Sequence, residues 1–108
     1  MDLTKKQCIP CEGSIPALTV FEEDKYKKEV ISWELLRGNP HKLKKEFFFK
    51  NFKEGIGFVN MVADIAEQEG HHPDIHIFYK KVNIEVYTHA VNGLSESDFI
   101  LAAKIDKL

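Results

Sequence analysis

Disulfide-forming capacity, long apolar runs and an excess of one charge are all missing from this chain, and each shortage removes a class of protein. Cysteine occurs only as Cys8 and Cys11 in 108 residues, which does not supply the disulfide framework of a small secreted domain. No segment holds the roughly 18 to 20 apolar residues that a membrane helix needs. Behind Lys5 and Lys6 the stretch Met1 to Pro10 has no apolar run, so it does not read as a secretory signal. A cytoplasmic protein without membrane contact is expected. Charge is nearly balanced, with 15 basic against 17 acidic residues and a formal net charge of -2. Nucleic-acid surfaces need a concentrated cationic patch, so no direct nucleic-acid partner is expected. The one cationic cluster, Lys42 to Lys45, reads as strand lysines guarding a sheet edge. Internal repeats and low-complexity tracts are absent as well.

What the chain does have is the composition of an ordinary globule, 44% hydrophobic and 30% charged, enough for one domain with a single core. Residues 1–18 are polar, carry Pro10, Gly13 and Pro16, and show no clean period, so a loose N-terminal arm is expected before a single domain over residues 19–108. Thr19 is placed to cap a short surface helix running to about Glu29, with Glu22, Glu23 and Asp24 near its positive end. Ile31 to Arg37 reads as a strand in which Trp33 and Leu35 alternate with polar neighbours. After the breaker Gly38-Asn39-Pro40-His41, Leu43, Phe47 and Phe49 share strand parity, giving a hairpin.

The strongest periodic signal spans Phe52 to Glu69. Phe52, Ile56, Val59, Ala63 and Ala66 recur at helical steps, Phe58, Val62 and Ile65 widen the stripe, and Gly70 supplies the stop. Ile75–Tyr79 and Val82–His89 read as two more strands rich in β-branched and aromatic residues. Ser95 caps a last helix to Leu108, with Leu101, Ala102, Ile105 and Leu108 as its buried row. The order α-β-β-α-β-β-α predicts an α+β fold: a four-stranded antiparallel sheet with three helices packed on one face.

The densest polar stretch is Glu67-Gln68-Glu69-Gly70-His71-His72-Pro73-Asp74. Pro73 fixes its own φ and pushes His72 towards extended geometry, holding two imidazoles on a stiff corner. Histidine gives and takes protons near neutral pH; the plainer alternative is that the pair caps a helix end. His89, at the end of the last strand, shares parity with Tyr87 and Glu85 against Val82, Ile84 and Val86, and so is not expected in the core. Asp98 sits three residues after Ser95, where it serves as half of a capping arrangement or leans towards the sheet; Glu67 has the same two options. His71, His72, His76 and His89 with Glu67 and Glu69 include zinc-type ligands. Adjacent histidines on an extended chain point to opposite sides, however, and no HExxH spacing occurs, so no metal is expected. Cys8-Ile9-Pro10-Cys11 is a lone CxxC without a second pair or βαβ surroundings, and reads as two free thiols.

Glu67, His71-His72-Pro73, Tyr79, His89 and Asp98 together resemble the signature of the pterin-4a-carbinolamine dehydratase family, also known as the dimerisation cofactor of a homeodomain transcription factor. The likeness extends over about residues 19–108, including Trp33, the Phe47-Phe48-Phe49 stretch and Gly93-Leu94-Ser95. The resemblance implies dehydration of 4a-hydroxytetrahydrobiopterin to quinonoid dihydrobiopterin, recycling tetrahydropterin for aromatic amino-acid hydroxylases without a cofactor. It further implies His71, His72 and His89 as catalytic residues, His72 with an orienting share, and Glu67, Pro73, Thr88 and Asp98 as the residues that bind or shape. A homodimer or homotetramer follows from it too, through Phe58, Met61 and Ile65, with a hydroxylase as a further partner. The competing reading is a protein-binding module acting as a transcriptional coactivator.

Overall fold

Seven elements follow one another in a computed structural model that describes residues 1–9 and 15–108. They are α1 (Val20–Lys27), β1 (Glu34–Arg37), β2 (His41–Phe48), α2 (Phe52–Glu69), β3 (Asp74–Ile77), β4 (Lys81–Val86) and α3 (Glu96–Ile105). The strands form one antiparallel sheet in the order β1-β2-β4-β3. Leu43 pairs with Val86 and Phe47 with Val82, and Ile75 faces Ile84, so these side chains share one largely apolar sheet face, with Lys45 and the Arg37–His41 pair as its polar members. The helices pack against that face, giving the α+β architecture that the sequence predicts.

Local chemistry explains each boundary. α1 begins in a capping box, in which Thr19 and Glu22 each bond the other's backbone N–H. α2 starts where the Asn51 side chain accepts the Glu54 N–H at 2.9 Å. It buries Phe58, Val62 and Ala66 at four-residue steps and ends at Gly70, whose φ of 65° only glycine adopts cheaply. A Cβ on Gly55 would lie 3.4 Å from Phe49 and 3.6 Å from Val82, ordinary contact distances, so α2 lies close on the sheet here with room for an alanine. α3 is enclosed almost all round, with Phe99, Ile100, Leu101, Ala102 and Ile105 buried.

Several expectations change on folding. Trp33 precedes β1 rather than lying in it; its indole is buried and donates to the Asp106 carboxylate at 3.1 Å, which ties it to the end of α3. Lys42 to Lys45 lie on an inner strand, so they guard no edge. Lys42 and Lys45 instead pair with Glu85 and Asp106, each at 2.7 Å. Phe58 faces inward against Phe47 and Phe49, leaving Met61 as the exposed apolar residue of that helix trio. Residues 1–9 are packed rather than loose. Leu3 is buried in a short 3-10 turn, and the Cys8 N–H donates to Glu69 while Ile9 N–H donates to the Ser97 hydroxyl. Pro10, Cys11 and Gly13 of the expected arm, and with Cys11 the CxxC pair, lie outside the described residues. β4 stops at Val86, so His89 does not end a strand but opens a 3-10 turn at His89–Val91. No helix among the described residues is long and apolar enough to cross a membrane.

Candidate active site

Two backbone corners build the site. At the first, α2 closes on the left-handed Gly70 and the His71 N–H still reaches back to the Ala66 carbonyl at 3.2 Å. Pro73 then turns the chain into β3, which leaves His71 and His72 on the joint. At the second, Thr88 and Gly93 bond each other across a tight loop, with Thr88 N–H to Gly93 O at 2.8 Å. Asn92 takes the left-handed conformation at φ 50° that closes the 3-10 turn carrying His89.

The corners face a common hollow of about 460 Å³ lined by His71, His72, Pro73, Tyr87, Thr88 and His89, among others. Three of the five histidines therefore meet in one cavity of small-molecule size. The other two are elsewhere: His76 lies on β3 beside Glu85 at 3.5 Å, and His41 bonds the buried Glu23 at 2.8 Å. A second hollow of about 270 Å³, between the N-terminal residues and the end of α3, holds no histidine.

The supports behind the imidazoles differ in kind. His71 Nε2 lies 2.6 Å from Asp98 Oδ1, and Asp98 is fully buried. The other Asp98 oxygen accepts from the Thr88 hydroxyl at 2.7 Å and the Ser95 N–H at 2.9 Å. Capping and site-building, posed as alternatives in the sequence, are thus both done by one carboxylate, an oxygen for each. An ionised carboxylate only accepts, so it draws an N–H at His71 Nε2, and in the neutral imidazole that leaves the lone pair on Nδ1. His72 Nε2 meets Glu67 at 3.0 Å, but both side chains are largely in water, so the pair orients weakly. His89 Nδ1 meets the Tyr87 hydroxyl at 3.0 Å, with the two rings 4.2 Å apart.

Of the residues singled out in the sequence, His71, His72, Pro73, Thr88 and His89 line the hollow. Thr88 does so with its hydroxyl already engaged by Asp98 and Ser95. Asp98 stands behind His71, and Glu67 stands at the rim with His72. Tyr79 is exposed in the β3–β4 turn and does not belong to the lining. Tyr87 is the addition; its i, i+2 spacing from His89 was the signal available. Among the described residues no three acidic, histidine or cysteine side chains form a metal-binding group.

The family model described as pterin 4 alpha carbinolamine dehydratase matches residues 17–108. A curated relative from Methylococcus capsulatus, named for the same activity, is 49% identical over 98% of this chain and 92% of its own length. A solved transcriptional coactivator/pterin dehydratase from Brucella melitensis superposes with a TM-score of 0.78 at 30% identity, over 84% of this chain and 96% of that one. A pterin dehydratase-like protein identified as a RuBisCO assembly factor of the alpha-carboxysome superposes less closely. Its TM-score is 0.61 at 28% identity, over 70% of this chain and 87% of that one. With the family model matching residues 17–108 and a relative 49% identical over 98% of the chain, the chain belongs to the pterin-4a-carbinolamine dehydratase family of hydro-lyases.

Proposed function

We propose that this chain dehydrates 4a-hydroxytetrahydrobiopterin to quinonoid dihydrobiopterin, with His71 and His89 as the acid–base pair. In this reading it works in the cytoplasm and returns the pterin spent by aromatic amino-acid hydroxylases. The observation that carries the reading is the convergence of His71, His72 and His89 on one hollow, with the buried Asp98 behind His71.

The elimination needs one proton delivered and one removed. The acid protonates the 4a-hydroxyl oxygen, and the C–O bond breaks as water leaves. The base takes the proton from the neighbouring ring nitrogen, whose electron pair closes the new C=N bond. Protons in and out cancel, so neither a metal nor a redox cofactor is called for. His71, held by a carboxylate on Nε2, is the base through Nδ1. His89 is the acid. His72 with Glu67 holds the pterin at the rim, while Pro73 and Thr88 shape the wall. Each positioned acid or base contributes about 10²–10⁴-fold to the rate.

Stopped-flow decay of the carbinolamine tests this reading. His71→Ala and His89→Ala each remove most of the acceleration while the fold is preserved. Wild-type rates in both variants sink the acid–base assignment.

A second reading concerns association. Phe52 and Met61 on α2 and Ile77 and Phe78 beside the β3 edge are exposed apolar residues, which suits a homodimer or homotetramer. A chain that stays monomeric at micromolar concentration in solution contradicts it. Coactivator behaviour, present in the name of the Brucella melitensis relative, would use such a surface.

A further inference from the structure

The proposed acid, His89, has a backing unlike that of the proposed base. Among the described residues the Tyr87 hydroxyl is the one hydrogen-bond partner of the His89 ring, at 3.0 Å from Nδ1. The ring centroids lie 4.2 Å apart at 43°, so the phenol also limits rotation of the imidazole. Tyr87 also has Lys42 over its ring, with the ammonium 6.0 Å from the ring centroid and tied to Glu85 at 2.7 Å.

Direction follows from chemistry. A phenol oxygen shares its lone pairs with its ring, which makes it a good donor and a poor acceptor; an imidazole nitrogen without hydrogen is a good acceptor. The O–H of Tyr87 therefore donates to Nδ1, and the His89 proton is left on Nε2. The Asp98 carboxylate does the converse at His71, where it holds the proton on Nε2 and frees Nδ1 as a lone pair. In the neutral rings one imidazole is thus left with a free lone pair and the other with a free N–H.

We infer that Tyr87 is a positioning residue that fixes the His89 ring through Nδ1 and leaves Nε2 for the leaving hydroxyl. In the resting neutral ring the Tyr87 O–H donates to Nδ1 and the proton stays on Nε2; in the imidazolium that delivers the proton, the Nδ1–H donates to the Tyr87 oxygen instead. The inference rests on the dehydratase reading for its purpose, but not for its first test.

That test is the nitrogen-15 spectrum of labelled imidazoles in the substrate-free protein at a pH where His89 is neutral. His89 shows Nε2 protonated in wild type, and Tyr87→Phe, which keeps the ring and removes the donor, gives a mixture of tautomers. In stopped-flow the same variant loses about 3- to 10-fold in kcat, the net worth of one hydrogen bond, with KM nearly unchanged. Nδ1–H in wild-type His89, or an unchanged tautomer in Tyr87→Phe, overturns the inference. A wild-type protein with the Nε2–H tautomer and no dehydratase activity leaves the positioning intact and defeats the proposed function instead.

Discussion

Replacing Asp98 by Asn changes little in shape and much in hydrogen bonding. The buried carboxylate receives three donors: His71 at 2.6 Å, the Thr88 hydroxyl at 2.7 Å and the Ser95 N–H at 2.9 Å. Asn offers one accepting oxygen and one donating nitrogen. If the oxygen stays with Thr88 and Ser95, the amide N–H points at His71 Nε2 and forces the proton to Nδ1, the atom needed as a base. If the amide turns round, the Ser95 N–H at the start of α3 faces another N–H and is left unsatisfied. The first arrangement sacrifices catalysis, and the loss expected is that of a positioned base, about 10²–10⁴-fold in kcat. The second sacrifices stability, by about 1–3 kcal/mol for a buried donor without a partner. A melting curve beside the stopped-flow trace separates them. A folded Asp98→Asn protein within twofold of the wild-type rate would falsify the role given to His71.

Three further outcomes rest on other parts of the fold. Burial disfavours ionisation of Glu69, but Lys104 at 2.7 Å and the Cys8 N–H outweigh it and hold the carboxyl below its usual 4.5. The folded protein then binds fewer protons here than the unfolded chain. The resulting stability is complete above about pH 4.5 and is lost as pH falls through the lower folded value. Urea midpoints of Glu69→Gln are accordingly below wild type at neutral pH and converge with it in acid. Burial, aided by Glu69, pushes the Cys8 thiol up to about 12, so site-resolved alkylation at pH 8 is far slower in the folded protein than in urea. Gly70→Ala places a Cβ at φ 65° and costs about 1–2 kcal/mol, read as a lower melting temperature, although open space surrounds the site.

Period and punctuation made most of this fold readable. The helix of α2, its glycine stop and the two hairpins are local signals that survive folding, but the buried row of α2 is Gly55, Phe58, Val62 and Ala66, and Phe52 and Ala63 of the expected row are exposed. The errors share another origin. Lys42 to Lys45 carry no mark of whether their strand is inner or outer, because strand order is decided by how hairpins assemble. Trp33 leaves the strand because Asp106, far along the chain, captures its indole N–H. The first nine residues lack periodicity, yet Leu3 fills a gap beside α3 that exists only in three dimensions. The histidines were legible because Pro73 stiffens their corner. The shape of the second corner was not, since Asn92 adopts its left-handed φ without a glycine to announce it.

Asp98 links the stability of the fold to the chemistry proposed for it. Its Oδ2 satisfies the Ser95 N–H ahead of α3, the helix whose buried residues contribute most to the core, and its Oδ1 orients His71. The same oxygen that caps the helix also draws in Thr88, the residue before the turn that presents His89. Both proposed proton-transfer groups are thereby referred to one buried carboxylate, His71 directly and His89 through a single intervening backbone step. The carboxylate cannot move towards either without releasing the other or the helix start. Precision in a hollow formed by two loops thus comes from the rigid element behind them, and a substitution at this position costs rate or stability according to which donor it abandons, whereas one at Tyr87 should alter rate alone.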